Sequence, residues 1–385
     1  MADAVIAWNI KACEIAVRGG VGAGPARRVL GALQTAVYGA VNAVTQRYPP
    51  GGMEPGTARG ASVDAAVAAA SRRMLLQLLP AQRAAVEAAY QEALAQVAES
   101  PARAAGITAG EKSAAAILAI RAADLVDPPE GYRPVTSPGV YVPTATPVAS
   151  SFPQRQPWLM ASASQFRPDP PPALNSTIWA RDYNEVKNFG GKQSTRRTPE
   201  QTAIALFWED NSPTPYCHIV RSVAEAPGRE VTQNARLYLA VAQAMDDATI
   251  ACFDAKYHYN FWRPLTAIRN GDIDGNDYTE RDATWSPLIE TPMHPEYPCA
   301  HCVNAGAVGA VLKAELGKAP TPPLAATSLA SGARRSWQNI EDFVAEVADA
   351  RVYDGVHYRN SSVVGTLLGR KVGELVAGRL LAEAR

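Results

Sequence analysis

The stretch Asp254-Ala-Lys256-Tyr-His-Tyr-Asn-Phe-Trp-Arg263-Pro264 ends a long run of helical spacing that begins near residue 229. Continued as a helix to residue 262, it sets Lys256 and Arg263 on one face, about two turns apart. Two long cationic donors converging from one face fit a small tetrahedral oxyanion. Pro264 is poorly tolerated inside a helix, so the backbone is expected to kink or end just after the second cation. Two surface cations snorkelling from an aromatic-rich helix is the plainer alternative, and this stretch alone leaves it open.

Upstream, apolar residues recur at helical spacing over 3–18, 26–47, 62–79, 81–98 and 108–125, as in Val29, Leu30, Leu33, Val37 and Val41. Pro25 and Pro80 stand where helices start or break, and a Gly/Pro-rich break occupies 49–60. From Asp127 to Pro172 the chain is Pro-rich without a period, yet it carries Tyr132, Tyr141, Phe152, Trp158 and Phe166, which predicts an extended strap packed on the surface. Helical patterns resume at 176–189, 199–209 (opened by Thr198-Pro199-Glu200), 229–262, 303–317, 333–351 and 360–383. The expected fold is all-α: an N-terminal helical bundle over 1–126, the strap over 127–172, and a C-terminal bundle over 173–385 carrying the site, the whole forming one continuous unit.

Length and charge bound the function. The 385 residues suffice for a sizeable core; 47% are hydrophobic and 19% charged, with 37 Lys plus Arg against 37 Asp plus Glu. This balance draws the chain to neither nucleic acid nor anionic lipid, so an anion site must be a local cluster. No apolar run reaches the ~18–20 residues of a membrane span. Asp3, Lys11 and Glu14 interrupt the first apolar pattern, so it does not read as a secretory signal; the expected compartment is the cytoplasm, or outside it if a leader is removed. Five mostly isolated cysteines (Cys13, Cys217, Cys252, Cys299, Cys302) argue against a disulfide framework. Asp272-Ile-Asp274-Gly-Asn276-Asp277 fails the calcium-loop pattern, with Asp277 where glycine is needed and Ala283 where glutamate is needed.

Two more clusters carry chemistry. His294-Pro-Glu-Tyr-Pro298-Cys299-Ala300-His301-Cys302 runs straight into a helical pattern. Unpaired N–H groups at that helix start can face an anion, and His301 in the first turn can exchange protons with it. Ala350-Arg351-Val-Tyr-Asp354-Gly355-Val-His357 places a cation and a histidine on either side of an Asp-Gly turn, which brings them together if one helix ends near Arg351 and the next starts after His357. For either histidine the ordinary reading is a satisfied imidazole. Cys299 and Cys302 also read as a redox dithiol or, with His301 and His294, as zinc ligands, although no βαβ pattern and no second C-x-x-C accompany them.

Together these parts resemble the signature of the vanadium-dependent haloperoxidases and the type 2 phosphatidic acid phosphatases, written K-x6-RP, PSGH and SR-x5-H. Here they stand as Lys256-x6-Arg263-Pro264, Pro298-Cys299-Ala300-His301 and Ala350-Arg351-x5-His357. Similarity on the haloperoxidase side extends to Asp3-Ala-Val-Ile-Ala-Trp8-Asn9, Phe166-Arg-Pro168, Phe207-Trp208-Glu-Asp210 and Thr291-Pro-x-x-Pro295-x-Tyr-Pro298. The resemblance implies a vanadate cofactor, with phosphate able to take the same place, and His357 as the ligand of vanadium or the nucleophile on phosphorus. Lys256, Arg263 and Arg351, with Cys299 and Ala300, would bind its oxygens; His301 would be the acid-base group, and Asp210 would pair with Arg351. His294 stands where bromide-oxidising members carry histidine. The activity the resemblance implies is oxidation of halide, bromide favoured, by hydrogen peroxide, with a phosphatase passing through a phosphohistidine and a non-catalytic anion-binding helical protein as the alternatives. The implied partners are hydrogen peroxide, a halide and a small organic substrate, or a phosphate monoester, with a homodimer allowed. The chain departs from the pattern at Cys299-Ala300, where the family has Ser-Gly, and at Ala350 in place of serine.

Overall fold

The computed structural model describes residues 3–48, 56–124 and 131–382, which form thirteen α-helices and one two-stranded sheet. The N-terminal half holds α1 (Ala4–Arg18), α2 (Ala23–Thr45), α3 (Val63–Leu78), α4 (Arg83–Ala95) and α5 (Pro101–Ile120). Side-chain caps begin several of them: Asp3 accepts from Ile6 N, Ser62 from Ala65 N and Ser100 from Arg103 N, each satisfying a first-turn donor. The C-terminal half holds α6 (Thr177–Phe189), α7 (Pro199–Phe207), α8 (Thr214–Ala224), α9 (Val231–Tyr259), α10 (Pro264–Arg269), α11 (Ala300–Leu316), α12 (Ile340–Tyr353) and α13 (Arg359–Leu380). Thr198 and Gln201 form the capping box that starts α7.

The long α9 is buried on nearly every side, as a helix through the middle of a core must be. It packs against α2 on one flank and against α11 and α13 on the other, so a single apolar cluster joins both halves. Burial of each large side chain such as Leu237, Leu239 and Ile250 contributes about 1.5–3 kcal/mol. Where α13 lies closest to α11, Gly369 is required: a Cβ there would run into the Val303 carbonyl.

The structure departs from the sequence reading at several points. α9 stops at Tyr259, because Asn260 adopts a left-handed conformation (φ 49°) and turns the chain so that Phe261 and Trp262 enter a second, aromatic cluster with Trp179, Tyr183, Trp285, Tyr297 and Tyr358. Lys256 and Arg263 therefore do not share a helix face. Pro264 opens α10 at its first position instead of ending α9. The helix expected from residue 333 begins at Ile340; before it, β1 (Leu324–Thr327) pairs antiparallel with β2 (Arg334–Trp337), Leu324 opposite Trp337. α8, masked in the sequence by Pro213 and Pro215, carries those prolines only at its cap and first turn. A disulfide joins Cys13 in α1 to Cys217 in α8, 204 residues apart, a pairing that spacing could not show. Part of the 49–60 break and residues 127–130 of the strap lie outside the described residues.

The described part of the strap is fastened to α9 by buried acids. Asp247 accepts the N–H groups of Trp158 (2.6 Å), Leu159 (2.9 Å) and Met160 (3.1 Å), and Asp246 accepts the Trp158 indole N–H (2.8 Å). Arg167 grips Asp254 with two bonds, 2.7 and 2.8 Å. Asp272–Asp277 is likewise structural: Asp274 accepts from the Trp179 indole and the Thr279 hydroxyl. Asp247→Ala is expected to leave three buried N–H groups without an acceptor, each worth about 1–3 kcal/mol. A drop of roughly 3 kcal/mol or more in urea-unfolding free energy is the expected result; an unchanged midpoint and slope would show that the strap does not depend on this anchor.

Candidate active site

The end of α9 and the turn after it supply two cations. Lys256 is fully buried, and its Nζ donates to the carbonyls of Pro295 (2.9 Å) and Glu296 (2.8 Å). An ammonium has three donors, so one N–H is left to point elsewhere. Burial lowers its pKa to about 8, with Arg263 pushing the same way. Arg263, in extended backbone as the cap of α10, donates Nε to His294 O (3.0 Å) and Nη1 to Val356 O (2.8 Å). It also reaches the rings of His357 (Nη1 to Nε2, 3.2 Å) and His294 (Nη2 to Nδ1, 3.0 Å). The two cations meet on the carbonyls of one segment, residues 294–296, and not along one helix face.

That loop runs through a cis Tyr297–Pro298 peptide into α11, whose cap is Cys299. Cys299 N donates to Ser361 O (3.2 Å), and its Sγ accepts from Cys302 N (3.4 Å) and lies 2.9 Å from Cys302 Sγ. The Cys299 N–H expected to face an anion is therefore committed to α13. Ala300 and His301, first and second in the helix, keep N–H groups with no carbonyl one turn back. The His301 ring is buried, and its Nε2 has no hydrogen-bond partner among the described residues. Burial holds this imidazole well below its ordinary pKa, with Arg351, Arg27, Lys256 and Arg263 adding to the effect, so it is neutral and able to accept a proton.

The third part forms as the Asp-Gly turn requires. α12 ends at Tyr353, Gly355 takes φ +84°, and His357 N returns to Arg351 O (3.1 Å). Arg351 Nη1 donates to Trp208 O (2.9 Å) and pairs with Asp354 Oδ2 (2.9 Å), both side chains being buried, while its Nε is unbonded among the described residues. Burial raises the Asp354 carboxyl to about 6. His357 Nδ1 meets Glu296 Oε1 at 2.7 Å. Since Arg263 must donate to Nε2, the network assigns the ring proton to Nδ1, shared with Glu296, and leaves the lone pair on Nε2. Burial raises the Glu296 carboxyl to about 7, Lys256 and Arg263 opposing it.

Lys256, Arg263, Arg351, His294, His301 and His357 thus come to one place. Asp210 does not join Arg351: its two oxygens accept from Ser212 N (2.8 Å) and Leu329 N (2.6 Å), and the nearer carboxylate is Asp354 on Arg351's own turn. Sequence reasoning passed over Glu296, although a carboxylate beside a candidate histidine loop is the usual orienting partner of an imidazole. It also passed over Arg27 of α2, whose charge helps hold the His301 pKa down and which no local pattern marks. Among the described residues no group of three His, Cys, Asp or Glu side chains could hold a metal ion, which removes the zinc arrangement. A tetrahedral oxyanion fits what is present: the unused N–H groups of Lys256 and Arg351, the first-turn N–H groups of α11, and the orphaned His301 Nε2.

The chain resembles known proteins in sequence over part of its length and in fold. Residues 236–383 match the family described as the VCPO second helical-bundle domain. The chain is 31% identical to the vanadium chloroperoxidase of Curvularia inaequalis over 179 residues, 38% of this chain and 29% of that protein. It therefore spans about three-tenths of the curated relative's length. In fold it is similar to the first bacterial vanadium-dependent iodoperoxidase, with a TM-score of 0.82 at 24% identity over 97% of this chain and 95% of the other. It is also similar to a bacterial vanadium-dependent chloroperoxidase in its apo form, with a TM-score of 0.74 at 17% identity over 92% of each chain. The resemblance to the vanadium haloperoxidases thus holds in sequence for the C-terminal half and in fold for nearly the whole chain.

Sulfate, a tetrahedral dianion that does not titrate near neutrality, probes the site's own charge. As pH rises through about 7 Glu296 gains a negative charge, and through about 8 Lys256 loses a positive one. Sulfate affinity by calorimetry is expected to be highest below pH 7 and to fall across pH 7–9, approaching tenfold per pH unit for each titrating group. A flat profile would remove both groups from the anion site.

Proposed function

We propose that this chain is a vanadate-dependent haloperoxidase that uses hydrogen peroxide to oxidise halide, with bromide favoured. The observation that carries the reading is the Glu296–His357–Arg263 alignment, which fixes the ring proton on Nδ1 and turns Nε2 of a fully buried imidazole toward the Arg263 guanidinium, with Lys256 and Arg351 nearby. Lys256, Arg263 and Arg351, with the Ala300 N–H at the start of α11, are the groups that would hold an oxyanion beside that nitrogen. Bound vanadate supplies a Lewis-acidic centre that activates peroxide without a change of oxidation state.

The residues do the rest. Charge-assisted donors from the three cations draw electron density from the bound oxyanion. His301 Nε2 takes a proton from incoming hydrogen peroxide and returns it to the departing oxygen. His294, bonded to Arg263 and edge-on to Phe253 at 5.1 Å, faces the same guanidinium and is the group proposed to favour bromide.

The same residues support a second reading, a phosphatase passing through a phosphohistidine at His357, because a nucleophilic imidazole nitrogen among cationic donors would also serve phosphoryl transfer. One metal-stripped preparation separates the two when it is assayed for bromination and for aryl phosphate hydrolysis, with and without orthovanadate. Bromination that appears only with vanadate is the expected outcome. Phosphate hydrolysis that vanadate inhibits would transfer the assignment to the phosphatase, and His357→Ala retaining full turnover would sink both.

Glu296 is proposed to position His357. Glu296→Ala is expected to weaken vanadate or phosphate binding by about 10–100-fold, as removal of an orienting partner does, while Glu296→Gln, which keeps an acceptor for Nδ1–H, recovers most of it. Equal losses in both variants would mean that the charge of Glu296 matters and its orienting bond does not.

A further inference from the structure

The contact between Cys299 and Cys302 serves no purpose in the chemistry above. Both side chains are fully buried, and the sulfurs lie 2.9 Å apart, closer than two unbonded sulfurs usually sit. Cys302 gives Cys299 Sγ two donors, its thiol and its backbone N–H at 3.4 Å. The pair opens an α-helix, where the peptide dipoles also favour a sulfur anion. α13 presses against this turn: a Cβ on Gly365 would meet Cys299 O at 2.7 Å and Cys302 Cβ at 3.2 Å, so the backbone that carries the two sulfurs is closely packed.

From this geometry we infer that Cys299 and Cys302 are a reactive dithiol, a site at which a hydroperoxide is reduced and the pair closes to a disulfide. Cys299 Sγ attacks the nearer peroxide oxygen, the O–O bond breaks, and Cys299 becomes a sulfenic acid as one water leaves with the proton of the thiol. Cys302 Sγ then attacks that sulfur, the S–O bond breaks, and a second water leaves. In sum two thiols lose two electrons and two protons, hydrogen peroxide becomes two waters, and a thiol reductant resets the pair. Closure needs the sulfurs to approach from 2.9 Å to about 2.05 Å, which side-chain rotation within one turn can supply.

The surroundings support this direction. Burial alone would raise the Cys299 thiol, but the bond from Cys302, with Arg351 and Lys256 beside it, holds it below its usual value, while Cys302 is pushed up. Cys252, also buried, donates to Pro298 O at 3.7 Å and is raised to about 12, so the same protein carries an unreactive control. The inference rests on the peroxidase reading for one point, that peroxide reaches the interior beside His301.

The test uses the whole reduced protein without vanadate or halide. After hydrogen peroxide treatment, denaturation and alkylation, the tryptic peptide 282–313, which holds both sulfurs, is expected to be short of two hydrogens and unalkylated. Cys252 stays fully alkylated, and dithiothreitol restores both thiols. The pair should be lost roughly tenfold or more faster than Cys252. In Cys302→Ser the reaction is expected to stop at a sulfenic acid on Cys299, trapped by a cyclic dione. Full alkylation of Cys299 and Cys302 after peroxide, or oxidation no faster than that of Cys252, overturns the dithiol even where vanadate-dependent bromination succeeds. Disulfide closure in a protein that never brominates supports the dithiol and overturns only the peroxidase.

Discussion

Concentrated positive charge in a dry interior is the constraint on which this structure turns. Lys256, Arg263 and Arg351 are each about 1% exposed or less, and burying such ions is costly unless their donors are met. Helical backbone cannot meet them, because its carbonyls are already bonded within the helix. The acceptors come from irregular chain instead: Pro295, Glu296 and His294 in the loop before α11, Val356 in the turn before α13, and Trp208 just past α7. This is why an otherwise helical molecule puts its loops where three helix ends converge. Glu296 and Asp354 offset only part of the charge, and both are pushed toward neutrality by burial. The surplus positive charge is what the proposed anion site rests on.

Around that pocket the packing restricts movement. The aromatic cluster of Trp179, Phe261, Trp262, Tyr297 and Tyr358 holds the residues flanking Arg263, Glu296 and His357, with Trp179 and Tyr358 edge to face at 4.9 Å. On the other flank the strap is pinned to α9 by Asp246, Asp247 and Asp254, so the helix that carries Lys256 is fixed along its length. The Cys299–Cys302 turn is clamped by α13 in the same way. A pocket that must place donors to fractions of an ångström gains from such support.

The sequence by itself determined the helical class and marked the candidate site residues. Helical spacing and caps such as Thr198-Pro199 are local properties, and the spacings from Lys256 to Arg263 and from Arg351 to His357 mark cations and histidines wherever they end up. Asp354-Gly355 predicted its own turn, since only glycine takes φ +84° without strain. The Cys-Ala replacement before His301 was legible too, though not what the thiols touch.

What only the tertiary structure decided were relations between distant segments. The break of α9 at Asn260 accompanies the burial of Phe261 and Trp262 against residues from elsewhere in the chain, and Lys256 and Arg263 then meet on the carbonyls of residues 294–296 and not on one helix face. Asp210 carried the right charge for Arg351, but two backbone N–H groups claimed it, and Asp354 was nearer. Glu296 took its role because α13 brings His357 back to the 294–298 loop, and Cys13 found Cys217 because α1 packs on α8. Spacing specifies which side chains a turn presents; which of them meet is set by the packing of whole helices, and no window of sequence contains that.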